Sequence, residues 1–351
     1  MQERRVESVL GPIEASKLGR TLTHEHLAID FAKFYTAPPK LLKGFVDRKI
    51  DLHNIGVIRQ YPYSSEHNIH LTDPESADAV IEDIKFYKKS GGGTIVENTN
   101  HGIKRNISFM QEVSKKTGIH VIAGTGHYVA LTQNGESLSA TEEDIYNIII
   151  QDMTVGCPEC PSVKTGFIGE VASAWPIQEF ERKAIRAAAL AQQQLNCGVS
   201  FHPGRDPAAP FEIIRTFQEA GGNADRTVMS HLDRTLLKDE DLLSFSELGS
   251  YCQFDLFGTE CSYYQLHDTV DMPSDAQRVD KMSLLKRADC LEKLLMSHDV
   301  HTKHRLMKFG GHGFSHIFNN VVPKMKIKGF TNDEIDTITI RNPANWLCGS
   351  A

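Results

Sequence analysis

No apolar run in this chain approaches the roughly 20 residues that a membrane-spanning helix needs, which excludes a helical membrane protein. Met1-Gln2-Glu3-Arg4-Arg5 leads into mixed polar sequence rather than an apolar targeting segment, so a cytoplasmic protein is expected. Cysteine is scarce: 7 residues, odd in number and irregular in spacing, exclude a disulfide framework and suit reduced thiols. The pair in Cys157-Pro158-Glu159-Cys160 has neither a second CxxC nor a close histidine pair to complete a zinc set, and it reads as a surface loop. Charge of one sign is also lacking. A net −7 with acids and bases interspersed argues against nucleic-acid or anionic-membrane partners. There is no Pro- or Ser-rich linker, no low-complexity tract and no short repeat, so residues 1–351 read as one domain.

What the chain does have is an alternation of strand and helix signals. Eight β-rich runs stand out: Thr21–Thr23, Thr94–Glu97, His120–Gly124, Gly166–Glu170, Val199–His202, Thr227–His231, Ser250–Asp255 and Leu294–Asp299. Between them, Glu75–Lys89 carries Ala77, Val80, Ile81, Ile84 and Tyr87 at helical period, and Ile107–Thr117, Glu142–Met153, Gln178–Leu195, Phe211–Ala220 and Ser274–Cys290 also read as helices. This alternation predicts an α/β fold with a parallel sheet. Eight units with polar residues at the strand C-termini favour a closed (β/α)8 TIM barrel over an open sheet. Residues 5–18 read as a short N-terminal hairpin or lid, and Phe257–Ser274, with Tyr263 and Tyr264, as a lid or pocket wall.

The histidine supply is rich, at 16 residues. His24 and His26 flank Glu25 at one strand end, and because strand side chains alternate they share a face. Glu170, His202, His231 and Asp299 sit at the ends of four other runs. A barrel brings such ends to one mouth. Taken singly, each has an ordinary explanation: a polar strand end, a buried salt bridge, or a helix cap at Asp299. As a set, four histidines and two carboxylates exceed what one ion requires and suit two divalent ions of the Zn, Mn, Fe, Co or Ni class, with Glu170 the natural bridge. Water activated between two cations is a strong nucleophile at neutral pH, and Asp299 can take its proton and pass it to a leaving group.

Leu22-Thr23-His24-Glu25-His26-Leu27, Gly11-Pro12-Ile13, Leu18-Gly19, Gly91-Gly92-Gly93-Thr94-Ile95-Val96, Ser297-His298-Asp299-Val300 and Asn342-Pro343-Ala344 resemble the phosphotriesterase family of the amidohydrolase superfamily over nearly the whole chain. The resemblance implies a metal-dependent hydrolase with two metal ions per chain, usually zinc. His24, His26 and Asp299 would hold the more buried ion, His202 and His231 the more exposed one, and Glu170 would bridge. Organophosphate-hydrolysing members use a carboxylated lysine as bridge, so the glutamate here keeps a binuclear centre but weighs against triester hydrolysis. The activity implied is an amidase on small N-acyl amino-acid-like anions, with N-acetyltaurine the leading candidate. A lactonase or carboxylesterase, a phosphotriesterase and a non-catalytic metal-binding barrel remain as alternatives. The anion of such a substrate needs cations, and Arg205 and Arg234 follow the fifth and sixth strands. Lys104 and Arg105 are further options, and His127, Tyr128 and His298 are strand-end candidates for substrate contact or support. A small-molecule partner is therefore expected, and a homodimer is compatible with these features.

Overall fold

The computed structural model describes residues 4–261 and 263–349. An antiparallel hairpin, β1 (Arg5–Ser8) and β2 (Gly11–Glu14), precedes eight core strands. These are β3 (Arg20–Glu25), β4 (Gly92–Glu97), β5 (His120–Thr125), β6 (Phe167–Ala172), β7 (Val199–His202), β8 (Thr227–Met229), β9 (Tyr251–Phe254) and β10 (Leu294–Met296). All eight run parallel, each bonded to its neighbour in chain order. The last strand meets the first through its exit: the His24 N–H donates to Ser297 Oγ at 3.0 Å, and the Asp299 N–H donates to the His24 carbonyl at 3.1 Å. The sheet is thus a nearly closed barrel, and the TIM architecture expected from the alternation is present.

Each expected strand exists, with shifted ends. β8 stops at Met229 and β10 at Met296, because the chain turns away from the ladder before His231 and Asp299. The helices Pro74–Lys89 and Ile107–Thr117 match their apolar period, and Glu142–Ile150 passes into a π-turn over Gln151–Val155. Every residue of β6 and β7 is buried, as strands covered on both faces require.

The N-terminal hairpin does not cover the strand C-termini. Val9 N–H donates to the Val121 carbonyl at 3.0 Å, at the start of β5, and Val6, Ala15 and Leu18 pack with Val96, Ile122, Phe167 and Trp346. It plugs the opposite end of the barrel, where hairpin and C-terminus bury apolar surface that the open strand N-termini would expose. The C-terminal mouth is roofed instead by short helical turns between residues 32 and 64 and by the segment after β9. No helix among the described residues is long and apolar enough to cross a membrane.

Candidate metal centre

The six residues singled out at strand ends meet at this mouth, all at least nine-tenths buried. Glu170 stands in the middle. Its Oε1 faces His26 Nε2 at 3.6 Å, while its Oε2 faces His24 Nε2 at 3.5 Å, His202 Nδ1 at 3.0 Å and His231 Nε2 at 3.8 Å. Asp299 Oδ1 lies 3.2 Å from His26 Nε2 and 3.7 Å from His24 Nε2. Two clusters have donor atoms mutually within 4.8 Å: His24, His26 and Asp299, and His24, Glu170 and His231. The first is the trio expected for the more buried ion. His202 joins neither, but its Nδ1 is 2.9 Å from His231 Nε2 and completes the second half of the site.

Two of these ligand candidates leave their strands in an unusual way. His231 and Asp299 adopt φ of 58° and 54°, a left-handed conformation that side chains other than glycine avoid. The turn is held in place. His231 N–H donates to Asp255 Oδ1 at 3.0 Å, and Asp299 is tied to His24 as described above. The exits after β8 and β10 thereby point inward rather than along the barrel wall.

Outer partners fix which ring nitrogen faces the centre. Thr99 donates its hydroxyl proton to Glu97 Oε1 at 2.6 Å, so its oxygen accepts from His26 Nδ1 at 2.9 Å. Asp255 Oδ1 accepts from His231 Nδ1 at 2.7 Å. Ser230 Oγ lies 3.0 Å from His24 Nδ1. In all three rings Nε2 is the nitrogen turned toward the carboxylates of the centre, the arrangement that presents one ring nitrogen to a metal. His202 is reversed, with Nδ1 toward Glu170 and Nε2 toward Arg234 at 3.4 Å. His24 Nε2 is fully buried yet has no hydrogen-bond partner among the described residues. A buried unsatisfied nitrogen amid imidazoles and carboxylates fits a divalent cation.

Electrostatics agree with a charged cluster. Burial alone would raise Glu170, but His24 and His202 hold its carboxyl well below the usual range. Asp299 is likewise kept well below its ordinary value, against burial, by His301 and His26. Burial lowers His24, yet Glu170, Asp255 and Asp299 overrule it and lift the ring to about 10. His202 goes the other way, pushed down to about 3 by burial. Both carboxylates therefore stay ionised, as ligands must be.

Beside these residues opens a cavity of about 580 Å³, within the range of small-molecule sites. Arg205, Arg234 and Tyr128 line it, as do Thr259, Glu260, Cys261, Tyr264 and Met272 of the segment after β9, a wall as expected. Other candidates lie elsewhere. His298 is buried behind the wall, with Nδ1 2.7 Å from Glu25 Oε1 and Nε2 accepting from the Ile317 N–H at 3.1 Å, so it supports rather than touches a ligand. His127 is buried against His101 and Phe180 and is absent from the lining. Lys104 is spent on Asp30, and Arg105 on Asp152 and Glu159 at 2.8 and 2.7 Å. Cys157 is buried, with Cys160 half-buried, so this turn is less superficial than expected, and both thiols are free. Asp255 closes the β-rich run Ser250–Asp255, one residue beyond β9. The strand-end position that singled out the other six applies equally to it.

A family model described as the phosphotriesterase family matches residues 4–347. A phosphotriesterase-related protein from Aedes aegypti is 51% identical over 350 residues, covering 98% of each chain. Among solved structures, a resiniferatoxin-binding protein from Rhodobacter sphaeroides superposes with a TM-score of 0.93 at 27% identity, over 98% of this chain and 94% of that one. A phosphotriesterase homology protein from Escherichia coli, complexed with phosphate in its active site, gives 0.75 at 25% identity, over 94% and 98%.

Proposed function

Because the chain belongs to the phosphotriesterase family, whose members are binuclear-metal hydrolases, we propose that it hydrolyses the amide bond of small N-acyl amino-acid-like anions, N-acetyltaurine to acetate and taurine foremost. The observation that carries the reading is the convergence of His24, His26, Glu170, His202, His231 and Asp299 beside a cavity whose wall bears a buried arginine, Arg234, and a half-buried one, Arg205.

Two divalent ions, zinc by the family resemblance, would be held by those six residues, and when bound they would supply activation of water and polarisation of the acyl oxygen. The protein does the rest. Cleavage adds water across the C–N bond, so one group must take a proton from the water and return it to the departing nitrogen. Asp299 suits that role: it is ionised, it lies on the cavity wall, and it retains 7% exposure while the other carboxylate, Glu170, is almost wholly enclosed. Asp255, Thr99 and Ser230 orient the imidazoles. Tyr128, whose hydroxyl is 3.4 Å from His202 Nδ1, closes the wall beside them and limits water.

The test is acetate release from N-acetyltaurine by zinc-loaded protein, beside N-acetyl amino acids and a simple lactone. Chelator-sensitive release from N-acetyltaurine supports the reading. Turnover of the lactone alone would make the chain a lactonase, and no turnover of any acyl or phosphoryl substrate would leave a metal-binding barrel.

A further inference from the structure

Two buried guanidinium groups in this protein are each paired with two carboxylates, and a third, Arg305, is spent on the carbonyls of Asp299, Phe257 and His298. Arg105 meets Asp152 and Glu159 at 2.8 and 2.7 Å, and Arg278 meets Asp233 and Asp275 at 2.8 and 3.0 Å. Arg205 and Arg234 break that pattern. Among the described residues, neither has a carboxylate within ion-pair distance, and Arg234 is only 2% exposed. Arg205 gives its Nε–H to Tyr264 Oη at 2.9 Å, which leaves its whole Nη edge unspent. Arg234 gives Nη1 to Thr235 Oγ1 at 3.0 Å and Nη2 to the Pro203 carbonyl at 3.1 Å, with Nη2 also 3.4 Å from His202 Nε2, which leaves Nε and one N–H of Nη1. Both line the cavity beside His202.

One buried and one half-buried cation on the same cavity wall, neither with a counter-ion, favour an anion that joins them. The form of the anion follows from the donors. A carboxylate has two oxygens in one plane, and one guanidinium fork satisfies it. A sulfonate or phosphonate spreads three oxygens over a cone, so a second guanidinium reaches an oxygen that the first leaves free. We propose that Arg205 and Arg234, with Tyr264 bracing the first, form a subsite for the tetrahedral oxyanion of the substrate and select it over a planar carboxylate. The inference rests on the reading of the chain as a hydrolase of N-acyl anions.

The test is calorimetric binding of ethanesulfonate and of propionate to the metal-loaded protein. Ethanesulfonate is expected to bind at least about tenfold more tightly. Arg205→Met and Arg234→Met should each abolish that preference at unchanged metal content. Arg205→Lys, which keeps the charge and loses the fork, should retain weak binding without the preference, and it serves where the methionine variants do not fold. Equal affinity for the two anions, or variants that keep the preference, would overturn the subsite. Acetate release is read separately. Cleavage of N-acetyltaurine with KM unchanged in both arginine variants keeps the hydrolase and removes the subsite. Arginine-dependent binding of ethanesulfonate by a protein that cleaves no N-acyl anion keeps the subsite and removes the hydrolase reading.

Discussion

At the scale of single residues, the two halves of each histidine do different work. One nitrogen is held by the fold and the other is offered to the centre, and the holding partner decides which. Asp255 is the most heavily engaged holder. It accepts from both the backbone and the ring of His231, and also from Gln253 Nε2 at 2.9 Å. Its carboxyl is held below the ordinary range, against burial, first by His231. Asp255→Asn keeps the shape but can present an N–H to the ring, which disfavours the needed tautomer. Zinc affinity is expected to fall about 10- to 100-fold with the barrel intact, measured by chelator competition beside a circular dichroism spectrum. Asp299→Asn separates a second pair of roles. An amide still offers an oxygen ligand but cannot take a proton. Metal content should stay near that of the parent while kcat for amide cleavage falls about 10²- to 10⁴-fold; near-normal turnover would remove Asp299 from the proton path. The grouping of His24, His26 and Asp299 was legible in the sequence, because a residue type at a strand end is a local signal. That His202 presents Nδ1 and that Asp255 holds His231 were not, since both depend on which strand ends face one another across the barrel.

At the scale of elements, strand exits do the positioning. Glu25 sits between two ligand candidates but points to the other side of β3, as alternation dictates. There it accepts from Ser297 Oγ at 2.8 Å and from the backbone N–H groups of His298 and Val300 at 2.9 and 3.0 Å. One carboxylate thus ties the exit of β10 to β3 and sets where Asp299 points. The eight strands were readable because β-rich runs recur between helical periods. The roof from residue 32 to 64 was not, because its turns are held by distant partners, such as Tyr63 to His301 at 3.0 Å, rather than by any period of their own. Helix Pro74–Lys89 shows a cost that patterning conceals. Asp83 lies on its buried face with one acceptor bond, from the Met307 N–H at 3.0 Å, and burial pushes its pKa up from 3.8 to about 6. A folded value above the unfolded one means that the contribution is fully favourable below pH 3.8 and is lost as pH rises through about 6. Asp83→Asn should therefore stabilise the protein at pH 8 by up to about 3 kcal/mol, with the gain roughly halved at pH 5. Urea midpoints of parent and variant at the two pH values check this, and an equal gain at both would mean the cost is not one of charge.

At the scale of the whole molecule, the barrel has two ends under different control. One end is closed by apolar packing. Trp346 is fully buried there, its ring set against Phe167 at 5.5 Å between centroids and its Nε1–H directed at the Val199 carbonyl at 3.3 Å. The other end gathers ionised and polar groups from β3, β6, β7 and the exits of β8 and β10, a concentration of buried charge that bound cations would relieve. Metal that binds the folded state alone stabilises it by mass action, about 2.7 kcal/mol at a free concentration 100 times its dissociation constant. Removing metal with a chelator should lower the melting temperature by several degrees, reversed by zinc. Trp346→Ala should cost about 3–5 kcal/mol by opening a cavity at the far end. Because the two sites share no partner, the losses should add: the variant melts lower with and without metal, and zinc raises both by the same amount. If zinc no longer raised the variant's melting temperature, the plug and the metal centre would be one cooperative unit, and the independence of the two barrel ends would be wrong.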